Sequence, residues 1–180
     1  MRNIFFIVNN LLLRFKRRRK VKLNASTKIN LGCGMTVHKD WCNVDGSLNA
    51  LISKLPKFLI MIAYSLTGAR KSFTKKEYGE ILSSNNFVHH DLRYGLPFNE
   101  GKATHIFTSH FLEHIYPEQA KLLLKDAYKV LQKGGLIRIS VPDLEYAISL
   151  YPNNKNNMLN KYFFINDDSN TFSNHKYMYD

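Results

Sequence analysis

Residues 28–34 read Lys-Ile-Asn-Leu-Gly-Cys-Gly, a short β-prone run that ends on two glycines one residue apart. Glycine adopts positive φ at little cost and lets a ligand approach the backbone where a Cβ would collide. In open α/β sheets ligands sit at the carboxyl ends of the strands, so a strand running into such a turn is a candidate ligand loop. An ordinary glycine turn has the same spacing, and the neighbouring chain must decide between them.

Beyond residue 27 short β-rich runs alternate with helical patterns, as expected of a parallel sheet with crossover helices. Four further strands are predicted at residues 41–45, 87–91, 104–109 and 136–142. The best-defined helix is predicted over 117–133. Pro117 suits the first helical position, Glu118 the positive N-terminal end, and Leu123, Ala127, Val130 and Leu131 repeat at helical spacing. Gly134 is expected to supply a left-handed cap. Only six residues separate Gly34 from Trp41, so a helix between the first two strands has room for one turn at most.

The 180 residues, 44% hydrophobic, suffice for one sizeable core. Cys33 and Cys42 offer neither a disulfide framework nor a CxxC metal pair, which fits a reducing, cytoplasmic setting. The net charge of +12 is concentrated at one end: residues 1–28 hold nine of the 26 Lys/Arg and no Asp/Glu, leaving 17 basic against 14 acidic side chains elsewhere. The near-neutral remainder gives no extended phosphate-binding surface and argues against nucleic acid as partner.

The apolar run from Ile4 to Leu13 is interrupted by Asn9 and Asn10 and falls short of the roughly 20 residues that span a bilayer. Basic residues follow the run instead of preceding it, unlike a signal peptide. Three readings of residues 1–22 remain open: an interfacial anchor, with Phe5, Phe6, Leu12 and Phe15 among lipid tails and the basic cluster on anionic headgroups at the inner face of the membrane; a solvated basic tail; or an RNA-attracting arm, the weakest of the three because no aromatic residues are interleaved with the basic cluster.

His110-x-x-Glu113-His114 spells a zinc-hydrolase pattern. A metal-binding version needs one helix through both histidines, whereas Pro117 more naturally starts a new helix, so the motif is expected at a strand-to-helix turn and no metal site is assigned.

Ile29–Gly34, Asn43–Gly46, His90–Phe98, Ser109–His114 and Val130–Glu145 occur in the order found in class I S-adenosylmethionine-dependent methyltransferases, which the chain resembles. Within them it is similar to the type 11 branch associated with surface-polysaccharide and lipid-glycan biosynthesis. The resemblance implies a Rossmann-like, doubly wound, mostly parallel α/β sheet that is incomplete at its C-terminal end. It also implies S-adenosylmethionine as cofactor, with Asn30, Gly32, Cys33, Gly34, Asp45, Gly46, Asp91, Leu92 and Ser109 around it. Asp45 is expected to accept the ribose hydroxyls, and Asp91 the adenine amino group beside the Leu92 backbone. A single Asp at a strand end is more often a turn or cap residue; two at successive strand ends favour a shared ligand. Relatives commonly carry an acidic residue where this chain has Asn30 and a third glycine where it has Thr36.

In this fold His110 or His114 would stand where donor and acceptor meet, as a base or as part of a structural turn. The expected organisation is a basic extension at 1–27, a methyltransferase domain at 28–152 with an insert at 47–86, and an Asn-rich segment at 153–180. Within the insert, the apolar stretch 53–66 is expected to be a helix, packing in the core or shaping an acceptor pocket. Three functions follow: methyl transfer to a small-molecule, glycan or lipid-linked acceptor; a truncated, non-catalytic interaction or membrane-surface module; or a zinc hydrolase through the HxxEH motif. An incomplete sheet leaves a bare edge that favours oligomerisation.

Overall fold

The computed structural model describes residues 2–66 and 68–150; the expected Asn-rich segment at 153–180 lies outside the described residues. Five strands, β1 (Thr27–Leu31), β2 (Cys42–Asp45), β3 (Asn86–His89), β4 (Ala103–Ser109) and β5 (Leu131–Ser140), form one sheet in the order β3-β2-β1-β4-β5. Every pairing is parallel. The order reverses between β1 and β4, which places a topological switch point at the carboxyl end of β1.

Six helices are described: α1 (Arg2–Lys16), α2 (Leu48–Ile52), α3 (Lys57–Ala63), α4 (Lys75–Ser84), α5 (Pro117–Val130) and α6 (Leu144–Leu150). Because strand side chains alternate, Ile29, Leu31 and Ile106 fall on one face of the sheet, where they join Leu123, Ala127 and Val130 of α5 in the main core. Ala50, Ile52, Ile60, Tyr78, Leu82 and Phe87 form a second cluster beneath the insert, with Cys33.

Several expected boundaries move for identifiable reasons. The helix predicted over 117–133 stops at Val130, because the amides of Gly101 and Lys102 take the carbonyls of Lys129 and Val130. Leu131–Lys133 therefore enter β5, and Gly134 (φ 78) serves a strand irregularity instead of the helix cap. The third strand ends at His89, since the side chain of Asp91 accepts from the Arg93 amide and starts a short 3₁₀ turn at Leu92–Tyr94. The helix expected at 53–66 is shortened: Pro56, which cannot continue a preceding helix, stands just before α3, and a 3₁₀ turn at Tyr64–Leu66 follows Ala63. Ile60 is buried, but Phe58 and Ile62 are exposed, so α3 both packs and presents apolar surface.

No helix joins β1 to β2, in agreement with the short spacing. A buried amide network holds the connection instead. Asn30 Nδ2 donates to Thr36 O (3.0 Å) and Asn43 Oδ1 (3.1 Å). Asn43, fully buried, also accepts from the His38 amide and donates to the carbonyls of His38, Trp41 and Asn86.

Replacing Asn43 with Ala orphans several buried groups at once, each worth about 1–3 kcal/mol. Urea denaturation should show Asn43→Ala destabilised by about 2–4 kcal/mol relative to the unsubstituted chain.

Candidate functional site

The loop after β1 and the loop after β2 meet at the switch point. Gly32 (φ 64) and Gly34 (φ 52) are both left-handed. The amides of Gly32 and Cys33 point to Val44 O, at 2.9 and 3.3 Å. Asp45 ties the two loops together: Oδ2 accepts from the Gly34 amide at 2.8 Å and Oδ1 from the Ser47 amide at 2.7 Å. Gly46 follows, and a Cβ there would approach His90 O to 3.3 Å.

On the neighbouring strand end, Asp91 has a different set of partners. Besides accepting from the Arg93 amide, its carboxylate receives Arg93 Nη2 at 2.7 Å and Nε at 2.9 and 3.1 Å. Asp91 is thus a buried carboxylate charge-paired with the guanidinium two residues on, beside the buried Leu92. The imidazole of His90, also buried, faces Gly95 O at 3.1 Å, and burial lowers its affinity for a proton.

Ser109 closes β4, paired in register with Ser140 of β5. His110 follows with φ 50, its amide bound to Ser140 O and its side chain largely in solvent. Its Nδ1 lies 3.3 Å from Oε1 of Glu113, a residue with no exposed surface. His114 lies half-buried at the end of the 3₁₀ turn Leu112–His114, and α5 starts only at Pro117. The HxxEH motif therefore occupies a strand end and a turn instead of one helix, as expected. No group of three or more metal-ligating side chains is found among the described residues.

Phe111 is a member of this site that the sequence reading missed. Its ring packs directly over Gly32, so a Cβ built on that glycine would collide with Phe111 Cγ. Phe111 lies within the Ser109–His114 block, but a lone aromatic gives no indication of its partner. The sulfur groups carry no nucleophile: burial, then the charge of Asp45, pushes the Cys33 thiol far up, and burial pushes Cys42 up to about 11. Asn30 is buried, with both amide hydrogens committed to Thr36 and Asn43. A shallow apolar groove along α5, lined by Pro117, Ala120, Leu124 and Tyr128, touches none of the predicted residues.

Part of this strand-end constellation lies within a family match. Residues 48–139, just over half of the chain, fit the model of a family described as a methyltransferase domain. The chain belongs to the methyltransferase domain family. The matched span includes Asp91, Ser109 and His110–His114; the glycine loop and Asp45 precede it.

This methyltransferase domain is also similar to two solved structures. One is a SAM-dependent methyltransferase from Archaeoglobus fulgidus, at 17% identity over 84% of this chain and 60% of that one, with a TM-score of 0.43. The other is the PH0226 protein from Pyrococcus horikoshii OT3, at 18% identity over 86% and 62%, with a TM-score of 0.41. The chain spans about three fifths of the length of each. A search of curated proteins gives no match.

Gly32 and Gly34 allow the backbone and packing costs to be separated. Both resist a side chain at positive φ, by about 1–2 kcal/mol. Only Gly32 faces an aromatic ring, whereas nothing lies within 4 Å of a Cβ on Gly34. Thermal denaturation should show Gly32→Ala less stable than Gly34→Ala, and trimming the ring in Gly32→Ala/Phe111→Ala should narrow the difference.

Proposed function

We propose that this chain transfers the methyl group of S-adenosylmethionine to a hydroxyl or carboxyl of a small-molecule, glycan or lipid-linked acceptor. The observation that carries the proposal is the Asp45 clamp: a carboxylate at one strand end joined to a left-handed glycine loop at the next, at the switch point of a parallel sheet. Membership of the methyltransferase domain family supports the same reading.

The residues present fit a nucleoside sulfonium. Gly34 leaves its Cβ position open, and the half-buried Asp45 carboxylate is placed to exchange an amide partner for ribose hydroxyls. Gly32, Cys33 and Gly46 would line the backbone approach, with Asp91 and Leu92 at the adenine edge and Ser109 on the β4 wall. Asn30 would act by holding the loop, since its amide hydrogens already have partners. The bound cofactor supplies an electrophilic methyl carbon on sulfur. His110, held at Nδ1 by Glu113 and with its side chain largely in solvent, would accept the acceptor's O–H proton. His114, nearer the interior, is the alternative base. Alignment of the two reactants carries most of the rate enhancement in such a displacement, so the base makes a secondary contribution.

A second reading, a non-catalytic interaction module, draws support from Phe111 over Gly32 and from the Asp91–Arg93 pair, because both occupy partners that a bound cofactor would have to share. Location at the inner face of a membrane is supported by the outer side of α1, where Ile7, Val8, Leu11 and Phe15 are exposed next to Arg14 and Arg17–Arg19. No helix among the described residues is long and apolar enough to cross a membrane. Association through the β5 edge is supported by exposed Leu136, Ile137 and Ile139.

Calorimetric titration with S-adenosylhomocysteine separates the first two readings. Micromolar binding, weakened at least tenfold in folded Asp45→Ala, is expected; no binding by the folded chain favours the non-catalytic module. For the membrane contact, vesicles containing about a third phosphatidylserine should sediment the chain at low salt, and Phe15→Ser together with Arg17→Gln and Arg18→Gln should release it. Binding unaffected by these changes would remove the anchor.

A further inference from the structure

The inner side of α1 supports an inference that rests on the cofactor reading above. At 3.6 residues per turn, Asn9, Leu13 and Lys16 share one side of the helix, and Val8, Leu11 and Phe15 share the opposite side. The first set is docked on the carboxyl ends of β2 and β3. Asn9, only 7% exposed, donates from Nδ2 to Gly46 O at 3.0 Å, and its Oδ1 lies 3.0 Å from His89 Nε2. The other ring nitrogen of His89 lies 3.3 Å from Lys16 Nζ.

The direction of this chain of bonds follows from its end groups. An ammonium only donates, so His89 Nδ1 accepts from Lys16, and Nε2 carries the proton that Asn9 receives. That assignment requires a neutral imidazole. Burial first, and the Lys16 charge second, depress the His89 pKa to about 4. Leu13, 4% exposed, completes the contact, with Cδ1 3.8 Å from where a Gly46 Cβ would be.

Gly46 adjoins Asp45, whose carboxylate orders both loops at the switch point. The helix thus grips the turn that bears the expected ribose ligand. A strand end can be covered by any hydrophobic helix, but this one contributes a buried amide to the carbonyl next to that ligand.

We propose that α1 roofs the nucleoside end of the cofactor crevice, with Asn9 and His89 as positioning residues that set the Asp45–Gly46 turn. The docked helix and the bound nucleoside then favour each other by the same factor, as linkage requires. A helix that was packed there for stability alone would dock to the same extent with or without ligand.

Trypsin distinguishes the two cases, because Arg14 and Lys16 lie inside α1 and are cut when the helix opens. The full-length chain is digested with and without saturating S-adenosylhomocysteine, with cleavage at Lys133 as internal reference. Ligand is expected to slow cleavage at Arg14 and Lys16 several-fold relative to Lys133. In Asn9→Ala that protection should shrink, and the dissociation constant for S-adenosylhomocysteine should rise about tenfold. Equal affinity in the two proteins, with cleavage independent of ligand, would overturn the roof while leaving the cofactor site in place. A folded wild-type chain that does not bind S-adenosylhomocysteine would overturn the cofactor reading and this proposal with it.

Discussion

The fold depends on how residues 32–41 return the chain from the end of β1 to the start of β2 without a helix. A parallel crossover normally carries its own helix, which covers the sheet and satisfies the backbone of the connection. Here the Asn30–Asn43 pair takes over the second task, supplying buried donors and acceptors to Thr36, His38, Trp41 and Asn86. Because an unpaired buried polar group is costly, this network admits few alternative paths for the loop. The same loop contains Gly32 and Gly34, so the geometry of the ligand turn is set from below by the amides.

The two strand-end carboxylates illustrate how similar residues acquire different electrostatic roles. Asp45 binds neutral backbone amides, which orient it and join two loops without cancelling its charge. Asp91 is neutralised by a bidentate contact with Arg93 and caps its own turn. A hydroxyl-bearing ligand approaching the first exchanges one hydrogen bond for another. At the second it must share the carboxylate with a guanidinium, so Asp45 is the better-prepared of the two.

The N-terminal helix joins these local features to the wider surface. Its outward residues are apolar and basic, and its inward residues make specific polar contacts with strand ends. A solvated tail would need no buried Asn9. The interruption of the apolar run at Asn9 and Asn10, which excludes a membrane span by length, has a second meaning in the folded chain: Asn9 is the residue through which the helix is docked.

Alternation of β-rich runs with helical periodicity determined the parallel α/β class, and strand spacing determined the helix-free first crossover, because both follow from local geometry. The Gly-x-Gly turn and the aspartates after successive strands were legible for the same reason: their offsets from the strands are short. Partnership across long separations was not. That Phe111 covers Gly32, that Arg93 neutralises Asp91, that Asn43 anchors the loop and that Asn9 meets Gly46 and His89 depend on the order β3-β2-β1-β4-β5 and on where α1 docks. The end of α5 at Val130 was likewise decided by Gly101 and Lys102, far away in sequence, which took its last carbonyls. Local periodicity and turn chemistry are written along the chain; which polar group satisfies which becomes determined only when distant segments are packed together.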